Sequence, residues 1–252
     1  MYFLSYLELS SLELILVCSI VLFASIVRGF SGFGFAATTV SLLVFIIPAI
    51  EIVPIILLLE IAISIYMIPY IWGKINWEIV KLIFLGFVVG SPIGIYLLKI
   101  LNSNITHFII SIIVIFFSIL LIKGYLNKNL NKKIIKISTG MFAGTVNGLS
   151  TLGGLPCALF LLSIGIESQI IRGTLAALFF LTDAYALIIA FFVEIIDLKS
   201  LYRTIPLLFI LPIGVKIGDV FFNKSKEETY RKFALYFLIL ISVLGLLKFF
   251  LN

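Results

Sequence analysis

Apolar residues run through this chain in long blocks, and Gly, Pro, Asn and charged residues gather between the blocks. Read for helical length and breakers, the pattern predicts ten segments, at about 11–27, 33–47, 51–72, 77–99, 105–125, 133–147, 153–165, 168–193, 199–222 and 230–250. Strands are not expected, because period-two alternation is absent and lipid-exposed backbone must satisfy its own hydrogen bonds. Segments of roughly 20 residues can cross a hydrocarbon core of about 30 Å. Those at 33–47 and 153–165 are too short to cross comfortably, and read as interrupted or re-entrant helices.

Composition sharpens this into a class. The 252 residues are 62% hydrophobic and 12% charged, with a mean hydropathy of +1.28. A soluble domain has roughly 45–50% apolar and about 25% charged residues. The expected fold is therefore all-α and polytopic in a membrane. The first apolar stretch has no Lys or Arg before it and carries Glu8 and Glu13, so it reads as a retained helix rather than a signal peptide. Cys18 and Cys157 lie in apolar segments with no metal spacing, and read as small core side chains. No metal and no cofactor is expected.

The net charge of +6 marks loops rather than a nucleic-acid surface. Residues 123–136 hold five Lys and no acid, and residues 222–232 hold four basic residues. Both loops are expected on the cytoplasmic side of the cell membrane. Counting through ten segments then puts both chain ends outside, with 14 of the 18 Lys and Arg inside or at the inner turns.

Several short patterns recur at nearly one offset. Val27-Arg28-Gly29-Phe30-Ser31-x-x-Gly34 echoes in Val146-Asn147-Gly148-Leu149-Ser150-x-x-Gly153, and Pro92-Ile93-Gly94 echoes in Pro212-Ile213-Gly214. Two copies follow, residues 1–126 and 127–252, with about five segments each. An odd number of crossings inverts the second copy relative to the first. Inverted repeats with broken helices in matching places are the pattern of secondary transporters, which bind substrate at the repeat interface.

The two glycine runs are the candidate substrate site. Gly29, Ser31, Gly32 and Gly34 belong to the first; Gly148, Ser150, Thr151, Gly153, Gly154 and Pro156 to the second. Buried helix N-termini present unpaired N–H groups and a partial positive charge to an anion. Ser31, Ser150 and Thr151 add hydroxyl donors. The competing reading is close helix packing through small residues.

Glu60 and Asp183 lie mid-segment, 123 residues apart, at matching places in the two copies. A carboxylate at that depth costs several kcal/mol unless it pairs, protonates or faces water. No basic residue is expected at their depth, so both read as coupling or path-lining acids. The alternative is a protonated carboxyl bonding a neighbouring helix. Arg28 and Arg172, each followed by glycine near the inner face, either select anions by their field or anchor helices. Lys216 and Asp219 are spaced to pair with each other.

The G-x-S-G within residues 29–32 resembles the rhomboid-protease nucleophile motif, but a serine nucleophile needs a base within reach. The single His, His107, falls at the opposite side, so intramembrane serine hydrolysis is a remote alternative. No phosphate-binding G-x-x-x-x-G-K-[ST] occurs.

The chain resembles the sulfite exporter TauE/SafE family of membrane permeases. The residues carrying the resemblance are Gly29–Gly34, Pro48, Pro54–Glu60, Ser64, Gly73–Trp77 and Gly90–Gly94 in the first copy. In the second they are Gly148, Gly153–Pro156, Arg172–Ala177 and Asp183. The resemblance covers nearly the whole chain. It implies two repeated halves and movement of a sulfur-containing or small organic anion, such as sulfite or sulfoacetate, across the cytoplasmic membrane. The first copy departs from the second in lacking a glycine pair like Gly153-Gly154. The expected partners are a small anion and the bilayer, with no nucleic acid; a passive anion channel is the main alternative, and the oligomeric state is left open.

Overall fold

A computed structural model describes residues 10–43, 46–47, 49–100, 112, 115, 119, 130–192, 196 and 198–251. The expected segment 105–125 and His107 lie outside the described residues, except for three isolated helical positions. Everything else described is helix, turn or short connection. The helices are α1 Ser11–Ser31, α2 Phe35–Leu43, α3 Ala49–Ile71, α4 Trp77–Ile100, α5 Lys133–Ser150, α6 Gly154–Ser163, α7 Ser168–Phe192, α8 Leu198–Leu208, α9 Leu211–Lys224 and α10 Glu227–Leu251. The protein is an all-α, polytopic membrane protein.

Local chemistry sets the ends of α1. The Ser10 hydroxyl accepts from Glu13 N while the Glu13 carboxylate accepts from Ser10 N, a reciprocal cap. At the other end Gly32 takes φ 81° and its N–H reaches back to Arg28 O at 2.8 Å. The 21 residues between span about 31 Å at 1.5 Å each, enough for a bilayer. Among the described residues, α1, α3, α4 and α7 are long and apolar enough to cross, and α8 with α9 makes a fifth if taken as one bent span.

The short segments stay short. α2 has 9 residues and α6 has 10, about 14–15 Å each, half of a hydrocarbon core. The expected segment 199–222 is corrected: it is two helices meeting at a 48° bend. Pro212, at the start of α9, has no N–H for the carbonyl of Leu208 and crowds it, so the ladder stops there.

Two interfaces dominate. α4 packs along α5, and α1 packs along α9, while α3 and α7 face each other. Glycines permit both close crossings. A Cβ on Gly148 would lie 2.6 Å from Ser91 O, and one on Gly29 would lie 2.3 Å from Val215 O. So Gly29 and Gly148 serve packing.

Ion pairs tie the helices at their ends. Glu78 of α4 meets Lys136 of α5 at 2.9 Å. Glu51 of α3 pairs with Lys199 at 3.5 Å and with Arg203, both on α8. Tyr230 of α10 donates to Ser31 O at 2.8 Å.

Candidate functional site

The site grows from the end of α1. The helix continues past residue 27, where the hydrophobic pattern ended it, and so carries Arg28 inward on its last turn. Arg28 is 0% exposed. One terminal nitrogen donates to Gly32 O at 2.5 Å. The other donates to Ser64 Oγ at 3.3 Å and lies 3.3 Å from Glu60 Oε2. The guanidinium carbon stands 4.3 Å over the Phe179 ring, a cation–π contact. This corrects the expectation that no cation reaches the depth of Glu60: a longer α1 and an extended guanidinium side chain bring one there.

Glu60, mid-α3, is 5% exposed. Its Oε1 accepts from Ala36 N at 3.1 Å, one of the free amides in the first turn of α2. Glu60 Oε2 and Arg28 Nε are both buried without a hydrogen bond among the described residues. A carboxylate therefore sits on the positive end of the first short helix, beside a buried guanidinium.

A small cavity opens next to this pair, with about 30 Å³ available to water centres. A water needs roughly 10–15 Å³ on that measure, so the space holds about two. Its wall combines Gly34, Ala36 and Glu60 with Asn147, Thr151, Gly153, Gly154, Phe179, Thr182 and Asp183. The ends of both short helices thus face one cavity. Asp183, 7% exposed, makes no hydrogen bond or ion pair among the described residues.

The second turn mirrors the first with different residues. Thr151 takes φ 59° where the first half has Gly32, and its N–H reaches Asn147 O at 2.8 Å. A β-branched residue with positive φ is a backbone outlier and is strained by about 1–2 kcal/mol. Leu155, at Ala36 plus 119, donates its N–H to Leu152 O at 3.1 Å within its own turn.

The other expected site residues fall elsewhere. Ser31 is corrected: its hydroxyl is buried and bonded to its own turn, 2.8 Å from Val27 O and 2.7 Å from Phe33 O, so it neither lines the cavity nor resembles a nucleophile. Gly32 packs against Arg172, and Pro156 is buried in the first turn of α6; neither lines the cavity. The side chain of Ser150 lies outside the described residues. Arg172 donates to Gly29 O at 2.6 Å, pairs with Asp219 at 2.8 Å and stands 3.9 Å over Phe222. It fastens α7 to α1 and α9 and does not line the cavity. Asp219 thus pairs with Arg172 rather than Lys216.

Ala36 and Phe179 were missed by sequence reasoning; Ser64 entered only as a residue carrying the family resemblance, and Asn147 only as the counterpart of Arg28 in the recurring pattern.

No curated protein and no solved structure matches the chain. The family model for sulfite exporter TauE/SafE matches residues 17–244. With two short helices ending on one buried, charged cavity, and with that match spanning nearly its full length, the chain belongs to the sulfite exporter TauE/SafE family of membrane transporters.

Proposed function

We propose that the protein is a secondary transporter for a small anion of the sulfite type, coupled to protons through Asp183. The observation behind this is the buried Arg28 beside a cavity lined by both short-helix ends. Its Nε still has a proton to donate. The cavity volume favours a compact oxyanion over sulfoacetate.

Charge supplies the coupling. With Arg28, Glu60 and Asp183 all ionised the site is net negative and repels an anion. Two like charges about 6 Å apart at an effective dielectric of 20 repel by about 3 kcal/mol, near 100-fold in affinity. Protonating Asp183 removes that penalty, so anion and proton enter together. The crossed pairing of α1 with α9 and α4 with α5 fits two inverted copies, residues 1–126 and 127–252, moving against each other. On this reading the Lys-rich loops face the cytoplasm and both chain ends lie outside.

Labelled-sulfite flux into proteoliposomes, with and without a proton gradient, tests the proposal. The wild type should show gradient-driven flux, and Asp183→Asn should lose the gradient dependence while keeping exchange. Gradient-independent flux in the wild type would make the protein a passive facilitator. No flux of sulfite, thiosulfate or sulfoacetate would overturn the transport reading.

A further inference from the structure

Glu60 does more than neutralise Arg28. Its carboxylate bridges two donors that belong to different helices, the Ala36 amide at the start of α2 and the guanidinium at the end of α1. The match is incomplete on both sides. Among the described residues Glu60 Oε2 accepts no hydrogen bond and Arg28 Nε donates none, although both atoms are buried. A carboxylate on a stem fixed to α3 has two oxygens, one near the Ala36 amide and one near a terminal guanidinium nitrogen, and leaves Arg28 Nε unmet. A free oxyanion with three oxygens has no stem, and can take the amide, the terminal guanidinium nitrogen and Nε together.

The second half shows what such a turn looks like without this occupant. There the equivalent amide, Leu155 N–H, is satisfied by Leu152 O, and the equivalent of Arg28 is the neutral Asn147. Asp183 has no hydrogen-bond partner among the described residues. Among the described residues the donor pair occurs only in the first half, and there it is covered by a side chain that lines the cavity.

Resting on the anion-transport reading, we infer that Ala36 N–H and Arg28 form the substrate oxyanion's own binding site, and that Glu60 is a tethered anion holding it until the substrate displaces it. Substrate and Glu60 therefore compete. The competition lets the site close around a charge-balanced pair when empty, and makes Glu60 a determinant of affinity rather than a ligand of the substrate.

Equilibrium binding of sulfite to the purified full chain, by calorimetry in detergent, tests this. Glu60→Gln removes the competing charge while keeping the side chain's length. It should bind sulfite at least tenfold more tightly than the wild type. Helical circular dichroism and a monodisperse elution profile check that the variant is folded. Equal or weaker binding by folded Glu60→Gln overturns the inference. Ala36→Pro gives a second route, because the first turn of a helix tolerates proline; the change deletes the donor and restrains Phe35 before it, so the same circular dichroism and elution checks apply. It should weaken sulfite binding at least tenfold, and unchanged affinity overturns the inference. These outcomes separate from the transport reading, which stands or falls on wild-type flux. A chain that transports sulfite but shows no gain in Glu60→Gln keeps the first proposal and loses this one. Sulfite binding by neither wild type nor Glu60→Gln overturns this inference, and the transport reading is then decided by flux alone.

Discussion

The turns before the two short helices are built alike but carry different residues, and so obtain different electrostatics. In the first, Arg28 ends a long helix, Gly32 turns the chain, and Glu60 closes an ion pair on the start of α2. In the second, Asn147, Thr151 and Asp183 stand at those places, and Asp183 has neither cation nor amide bonded to it among the described residues. One half is a neutralised pair; the other is a single acid beside a cavity. On the proposed reading this inequality leaves Asp183 as the group that exchanges a proton, since a fully paired site would have none.

The comparison breaks most severely at Arg28. Arg28→Ala strands Glu60 as a buried charge and should cost about 3–5 kcal/mol, seen as a large loss of thermal stability and of folded yield. A loss under about 1 kcal/mol would show that Glu60 is held neutral without Arg28. Asn147→Arg makes the second half resemble the first. With Asp183 paired the site no longer repels an anion, so sulfite exchange should persist while its dependence on the proton gradient is lost, and retention of full coupling would detach Asp183 from proton movement.

Smaller effects test the scaffold. Gly148→Ala forces a Cβ to within 2.6 Å of Ser91 O and should cost about 1–3 kcal/mol by prising α5 from α4. Gly29→Ala should behave alike at α1 and α9, and a marked inequality would show that the two crossings are not equivalent. The smallest change is at the turn. Thr151→Gly releases positive-φ strain but adds unfolded-chain freedom, so stability should rise by less than about 1 kcal/mol in a thermal melt. A fall instead would mean that the threonine side chain contributes more than its backbone strain costs.

Much of the scaffold is legible in the order of residues. Block length predicts α1, α3, α4 and α7, and the Gly-rich runs locate both short helices to within a few residues. The break at Phe209–Ile210 escapes because a proline inside a long apolar run does not announce whether it bends the helix: Pro92 sits within an unbroken α4, while Pro212 ends a ladder. At the site the carboxylates and the glycine turns are legible by offset. Ser31 is misread because a hydroxyl beside glycines looks available until its own turn is seen to use it. Arg28 is misplaced because the hydrophobic pattern stops at residue 27, while α1 runs on to Ser31.

The sequence alone determined the class and the long apolar helices α1, α3, α4 and α7, and it singled out Glu60 and Asp183 as mid-segment acids. Length, hydropathy and spacing are local quantities that survive without knowing which helices touch. Only the tertiary structure decided that Arg28 meets Glu60, that Ala36 lends its amide, and that Asp183 faces the cavity. Those facts depend on how α1, α3 and α7 cross, and crossing geometry is set by side-chain packing between segments far apart in the chain.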